Sequence, residues 1–213
     1  VAAVEEERLV RRKHARGMMP VNAVRYCLRS AKLKPRQIDQ VAISYAPVSI
    51  FGRARWHYAA RMWYAPDRAL DALFNGNRRY RRYVKRVKAM LAELAIPWEK
   101  VRFEPVEHQL AHAASAYNLS GFKGKTAILS LDLRGEYATT LFAYGENGRI
   151  HKIKELYEPD SLKGLYGAMC DYLGFDSLDG ETKVMGIATY GNADKYDLSF
   201  LADYSGKDFR INT

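Results

Sequence analysis

The sequence has few cysteines, no long apolar run and no start that resembles a leader. Its two cysteines, Cys27 and Cys170, are isolated and form no Cys-x-x-Cys pair, which argues against a zinc ribbon or a redox pair. No stretch of about 18 apolar residues occurs, so we expect no membrane span. The chain begins without Met on Val1-Ala-Ala-Val4, followed by acidic residues, unlike a signal peptide. We expect a cytoplasmic protein with reduced thiols, and a chain that starts inside a strand.

Positive charge is abundant but unevenly distributed. The 213 residues carry a net charge of +10, of which residues 51–100 contribute +8, while 48% apolar and 27% charged residues are typical of a globular domain. We interpret residues 51–100 as a basic helical insertion within one domain that spans residues 1–213. Its last helix, near 77–96, places an apolar stripe opposite a basic face. The stripe consists of Tyr80, Tyr83, Val84, Val87, Leu91 and Leu94, and the basic face of Arg78, Arg79, Arg81, Arg82, Lys85, Arg86 and Lys88.

Helical and strand patterns alternate along the chain, and this alternation predicts an α/β domain with a mixed sheet and flanking helices. Asn147-Gly148 between two β-rich runs predicts a tight hairpin. The expected helices are 20–33, 108–118, 161–173 and 181–189, and the expected strands are 41–45, 101–106, 126–132, 137–144 and 149–156.

Two histidines and one aspartate are candidate metal ligands. His108 and His112 are four residues apart, which places them on one helix face. Asp132 closes an apolar strand, at the sheet edge where ligands of α/β proteins bind. Together the three could form a set of two histidines and one carboxylate. Each feature also has a simpler interpretation: two histidines without a metal, and a strand-end turn in which Asp132 caps backbone amides.

Two glycine-containing motifs are candidate phosphate sites. Gly135 follows Asp132 and would let the backbone approach a phosphate or turn sharply. Gly180 to Gly191 frames a short helix that carries Lys183 and Gly186, so its N-terminus could face an anion. The alternative for this second motif is a capped surface helix with a C-terminal glycine.

In this order the motifs resemble those of the O-carbamoyltransferases of nodulation-factor and antibiotic biosynthesis. The shared segments are Glu5-Glu-Glu-Arg8 with Lys13-His14, His108 to Ala116, Asp132 to Thr140, Ser161 to Tyr166, and Gly180 to Ala188. The sequence departs from the family pattern at three places. Gln109 replaces a second histidine, Leu133 replaces a glycine, and Lys163 replaces the glycine of Ser-Leu-Gly.

The resemblance implies the fold of the actin, acetate and sugar kinase and heat-shock ATPase superfamily, incomplete in this chain. It implies that a separate domain makes carbamoyl-adenylate from ATP and carbamoyl phosphate, and that this chain passes the carbamoyl group to a hydroxyl of a small-molecule or oligosaccharide acceptor. The activating domain and a last metal-ligating Asp would lie outside these residues, so we expect the chain alone to be inactive.

The resemblance also assigns roles to individual residues. His108, His112 and Asp132 would hold a divalent metal, iron in relatives. Lys13, Gly135, Lys183 and Gly186 would contact the nucleotide or its phosphate, and Glu136 would orient the acceptor or bind the ribose.

Three alternatives stay open at this point. Residues 51–100 combine basic and aromatic side chains, which is also typical of a nucleic-acid-binding module. Hydrogenase-maturation carbamoyltransferases share the histidine pair, and tRNA-modifying enzymes of the same superfamily share the fold. A homodimer is open as well.

Overall fold

The computed structural model describes residues 2–176, 180–204 and 208–212. Short 3-10 turns occur at Lys13–Ala15, Pro35–Gln37, Ala193–Lys195 and Ser199–Leu201. The helices and strands follow in chain order. They are α1 (Glu6–Val10), α2 (Val21–Ser30), β1 (Gln40–Ile43), α3 (Arg53–Arg61), α4 (Pro66–Asn75), α5 (Arg78–Glu93), β2 (Arg102–Pro105), α6 (His108–Leu119), β3 (Thr126–Leu131), β4 (Ala138–Glu146), β5 (Arg149–Tyr157), α7 (Leu162–Tyr172), α8 (Gly180–Ala188), β6 (Ala202–Asp203) and β7 (Arg210–Ile211).

Every helix and strand predicted between residues 20 and 189 occurs within a few residues of its expected position. The hairpin between β4 and β5 turns at Asn147 and Gly148, whose φ angles are 51° and 73°. Positive φ at both central residues is the geometry that an Asn-Gly hairpin adopts. The expected strand at the start of the chain is wrong, because residues 2–5 form no strand.

The α/β class is confirmed, but the strands do not join in one mixed sheet. In the described part of the chain, β1 and β2 pair in parallel, β3, β4 and β5 form an antiparallel sheet, and β6 pairs with β7 antiparallel. The parallel pair needs a long crossover, which α3, α4 and α5 supply. β4 and β5 are joined directly by their hairpin, so their pairing is local.

The chain divides into two compact units, and the first consists of Val1–Pro47 and Asn77–Val106. Its core surrounds α5 and contains Ile43, Val87, Leu91, Leu94 and Val101. Tyr80 packs against this core as the apolar stripe predicts. Tyr83 is more exposed than predicted, because it lies at the edge of the stripe and contacts the Tyr45 ring edge-on.

The second unit consists of Val48–Gly76 and Glu107–Thr213. Helix α6 packs on one face of the β3–β4–β5 sheet, where Ala113 meets Ile128, Leu141 and Ala143. The basic segment 51–100 is therefore divided, since α3 and α4 belong to this unit and α5 to the first. Among the described residues, no helix combines the length and the apolar character that crossing a bilayer requires.

Candidate metal centre

The side chains of His108, His112 and Asp132 converge in the second unit. Nε2 of His108 lies 3.0 Å from Oδ2 of Asp132, and Nε2 of His112 lies 3.4 Å from the same oxygen. The two Nε2 atoms are 3.2 Å apart. One donor atom from each residue lies within 4.8 Å of the other two. The three side chains predicted from sequence therefore face one common point.

This donor set suits a divalent transition metal. Two imidazole nitrogens and one carboxylate oxygen are the ligands that zinc and non-haem iron accept, and three protein ligands leave coordination positions open. The side chain of Asp132 is only 18% exposed, whereas that of His112 is 51% exposed. The centre is consequently accessible from solvent at its histidine side, where a ligand could approach.

Asp132 owes its position to the end of β3. Its backbone N–H donates to the carbonyl of Thr139 on β4, which continues the strand pairing by one residue. Its Oδ1 accepts hydrogen bonds from the N–H of Leu133 at 2.7 Å and from Nζ of Lys163 at 3.0 Å. Burial raises the pKa of Asp132, but the bonds from Lys163, Leu133 and His108 outweigh it and hold the pKa below its usual value. The carboxylate is thus held in its charged form.

The N-terminus of α6 is fixed by the segment that follows Asp132. His108 is the first residue of α6, and its N–H donates to the carboxylate of Glu136, with distances of 3.2 and 3.3 Å to the two oxygens. A Cβ on Gly135 would lie 2.7 Å from Cβ of His108, closer than real side chains approach. Gly135 and Glu136, predicted to contact ligand, are therefore seen to position the helix that carries both histidines.

Ser161 supports the metal centre, although no role at the site was predicted for it from the sequence. Its hydroxyl donates to the carbonyl of Leu133 at 2.9 Å and accepts from the N–H of Gly164 at 3.0 Å. It therefore caps α7 and joins that helix to the turn after Asp132. A serine before a helical pattern signals a cap in the sequence, but its second bond is visible only in the fold.

The remaining predicted ligand contacts are divided between the two units. Lys183 and Gly186 lie exposed on α8, which packs against α7. Among the described residues, the side chain of Lys183 has no ion-pair or hydrogen-bond partner. Lys13 belongs to the first unit, in the 3-10 turn Lys13–Ala15. Their roles toward a nucleotide or phosphate stay predictions.

A second, buried ionic cluster lies elsewhere in this unit. Asp160 is 4% exposed, and its Oδ1 accepts from Arg61 on α3 at 3.0 Å and from the N–H of Ile211 at 2.9 Å. Nε2 of His57 lies 3.4 Å from its Oδ2. Burial raises the pKa of Asp160, but His57, the Ile211 N–H and Arg61 together lower it below its usual value. This cluster connects α3 to β7.

Comparison with known proteins identifies the family. A family model described as carbamoyltransferase N-terminus matches residues 1–213. The chain belongs to this carbamoyltransferase family. It is 36% identical over its whole length to an uncharacterized protein of Synechocystis sp., of which it covers 35%.

Two nodulation proteins are also similar to the chain. Nodulation protein NolNO of Sinorhizobium fredii is 34% identical over 90% of the chain, which covers 26% of that protein. Nodulation protein NolO of Bradyrhizobium diazoefficiens is 34% identical over 46% of the chain, which covers 18% of it. The carbamoyltransferase chain therefore spans about a third or less of the length of these relatives.

Gln109, the departure from the family's histidine doublet, is a structural residue in this carbamoyltransferase domain. Its side chain is 1% exposed and points into the sheet. It donates to the carbonyl of Ala138 at 3.2 Å and accepts from the hydroxyl of Ser130 at 2.6 Å. Because it faces away from solvent, the substitution leaves the His108–His112 pair intact.

The basic face of α5 in this carbamoyltransferase domain is exposed as predicted. Arg78, Arg79, Arg81, Arg82, Lys85 and Arg86 are exposed, whereas Lys88 covers the ring of Trp98 at 4.6 Å. The exposed aromatic side chains Trp56 and Trp63 lie on or just after α3, in the other unit. On α5 itself, Tyr80 packs against the core of the first unit and not beside the exposed arginines, which favours a solvated helix face over a stacking platform for nucleic acid.

Proposed function

We propose that the chain is the transferring part of an ATP-dependent O-carbamoyltransferase. It would accept carbamoyl-adenylate, made from ATP and carbamoyl phosphate by a separate domain, and pass the carbamoyl group to an acceptor hydroxyl. The observation that carries the proposal is the convergence of His108, His112 and Asp132 in a chain of the carbamoyltransferase family. The acceptor class we propose is a small molecule or an oligosaccharide, since two relatives bear the name nodulation protein.

In this proposal three residues hold a divalent ion, which we propose to be iron. His108 and His112 supply two nitrogens, and Asp132 supplies one oxygen. A bound ion of this kind acts as a Lewis acid that offsets negative charge on a phosphoryl oxygen. The exposed edge of His112 leaves that side open to ligand.

The surrounding residues keep the three ligands in place before any substrate arrives. Glu136 holds the first N–H of α6, and Gly135 allows α6 to approach the turn closely. Ser161 holds that turn from the side of α7. Preorganisation of this kind lowers the cost of binding and orienting a reactant.

Two alternative functions would depend on different features of the protein. Binding to generic nucleic acid would use the basic face of α5 and weaken steeply with salt. A hydrogenase-maturation or tRNA-modifying role would use the same metal side chains with another acceptor. Neither would make transfer to a small hydroxyl acceptor depend on His108.

The experiment compares the full-length protein with its His108→Ala variant. Metal content is measured by elemental analysis, and carbamoyl transfer by mass change of a panel of hydroxyl acceptors supplied with ATP and carbamoyl phosphate. We expect the variant to lose most of its metal and at least about 100-fold in transfer rate, as ligand loss does in metal sites.

His151→Ala is the matched control, because it removes an exposed imidazole that stacks on Tyr144. This variant should retain metal and transfer. Equal metal content and equal transfer in the wild type and His108→Ala would contradict the proposal.

A further inference from the structure

Lys163 contacts the candidate metal centre at Asp132. It binds the carboxylate oxygen that does not face the two imidazoles. Oδ1 of Asp132 accepts from Nζ of Lys163 and from the N–H of Leu133. Oδ2 faces the two imidazoles at 3.0 and 3.4 Å. The two oxygens of one carboxylate therefore serve two different sets of partners.

We propose that Lys163 is a second cation of this centre and that the ion and the ammonium together bind a phosphoryl group. The inference rests on the proposed function, because it presumes the metal centre. The resemblance of the chain to its family places glycine at this position, so the lysine would be a property of this protein and not of the whole family.

The hydrogen bonds of Asp132 favour one-oxygen coordination. Oδ1 already accepts two hydrogen bonds, and a metal could reach it only if one of them were lost. An ion bound through Oδ2 alone keeps one more coordination position open for a ligand oxygen. Lys163 would thereby fix Asp132 as a ligand with a single donor atom, as partners behind a metal ligand commonly do.

The ammonium of Lys163 is also available to a ligand. It has three N–H donors, and within the described chain its ion-pair partner is Asp132, so further donors can face a ligand. Its side chain is 44% exposed, comparable with the 51% of His112. Both side chains can therefore be reached from solvent.

The backbone around Lys163 adds to the positive potential. Lys163 lies in the first turn of α7, whose N-terminus carries partial positive charge. Ser161 anchors this end of the helix to the carbonyl of Leu133. Lys163 therefore extends from the end of α7 that is hydrogen-bonded to the turn after Asp132.

These features define the ligand class. A phosphoryl group carries several charged oxygens, so one can bind the ion while another accepts from the ammonium. Inorganic phosphate, carbamoyl phosphate and AMP share this chemistry. A neutral acceptor hydroxyl does not share it, so Lys163 would favour binding of the carbamoyl donor over binding of the acceptor.

The test uses the full-length protein loaded with Co²⁺, whose visible absorption reports its coordination. Wild type, Lys163→Met and Lys123→Met are titrated first with Co²⁺ and then, in separate arms, with inorganic phosphate, carbamoyl phosphate and AMP. Lys123 is an exposed lysine between α6 and β3, so its variant removes the same charge away from Asp132.

We expect Lys163→Met to bind Co²⁺ severalfold more weakly, because Asp132 loses the partner that orients it. Phosphate affinity should fall roughly tenfold, the loss of one charge-assisted hydrogen bond. The arm with the largest loss identifies which phosphoryl compound uses the lysine. Lys123→Met should change neither affinity.

Two results would overturn the inference, and they are distinguishable. If wild type and Lys163→Met bind Co²⁺ and phosphate with equal affinities, Lys163 has no such role, while the metal centre stands. If wild type binds no Co²⁺, the metal centre of the proposed function fails and the inference fails with it.

Discussion

Gly135 shows how one missing side chain sets the geometry of the candidate metal centre. The space that its Cβ would need is already filled by Cβ of His108. Because interiors are close-packed, any side chain there must displace α6 or the turn after Asp132. Both of these elements carry candidate ligands.

Gly135→Ala should therefore reduce stability and metal affinity together. We expect the free energy of unfolding in urea to fall by about 1–3 kcal/mol, as overpacking does. Gly186→Ala is the control, since its Cβ would meet nothing within 4 Å. Alanine in that exposed helix should be neutral or stabilise by about 0.5–1 kcal/mol. Equal stabilities of both variants would show that the contact at Gly135 is relaxed.

At the scale of residues, the sequence predicted some contacts of the site and missed others. His108 and His112 could be paired from spacing alone, because four residues make one helical turn. Asp132 could be placed at a strand end from the apolar run before it. Lys163 and Ser161 could not be placed there, because their contacts with the 132–133 turn depend on how α7 packs.

At the scale of secondary-structure elements, one buried side-chain amide adds hydrogen bonds to the apolar packing of α6 on the sheet. Gln109 bonds to Ser130 on β3 and to Ala138 on β4. Both partners lie near the strand ends that flank Asp132. The amide therefore sets where the helix with the two histidines sits on the sheet.

Gln109→Ala should remove these hydrogen bonds between α6 and the sheet. The buried Ser130 hydroxyl would lose its partner, and the Ala138 carbonyl would keep only the N–H of Gly135. The loss costs about 1–3 kcal/mol of unfolding free energy. Chemical denaturation followed by circular dichroism measures the loss. Ser115→Ala, which removes an exposed hydroxyl bonded to the carbonyl of His112 in its own helix, should cost under about 0.5 kcal/mol. A cost at Gln109 no larger than at Ser115 would contradict this account.

Element types were predictable because periodicity and turn residues are local signals. Asn147-Gly148 specified the β4–β5 hairpin, and Tyr80, Val84 and Val87 specified one face of α5. The division of strands into separate sheets was not predictable, because it depends on pairing between distant segments such as β1 with β2.

For the molecule as a whole, the division into two units differs from the boundary suggested by charge. Residues 51–100 share a basic composition, yet α3 and α4 group with the β3–β4–β5 unit. Interactions with the buried carboxylate of Asp160 contribute to this grouping. Arg61 of α3 bonds to Asp160 and to the carbonyl of Ile211, contacts that composition cannot reveal.

Asp160→Asn should lower the stability of this unit in a manner that depends on pH. Removing the charge of the buried Asp160 leaves the partly buried Arg61 without its ionic partner, which costs about 3 kcal/mol at pH 7. Because the folded pKa of Asp160 lies below the unfolded value near 3.9, its contribution is complete above that value and is lost as pH falls through the folded pKa. Urea unfolding at several pH values measures the difference.

The control for this pH series is Asp171→Asn, which neutralises an exposed carboxylate on α7. Its cost should stay under about 0.5 kcal/mol from pH 7 to pH 3. A penalty for Asp160→Asn that persists undiminished at pH 2 would show that the ionic partnership is not its source.

The candidate metal centre joins a helix to the end of a sheet strand, and this has a thermodynamic consequence. An ion held by His108, His112 and Asp132 would act as a removable crosslink between α6 and β3. Such an ion binds the native fold and not the open chain, so its free concentration would set the equilibrium between them. Scarcity of the ion would then shorten the lifetime of the protein against proteases.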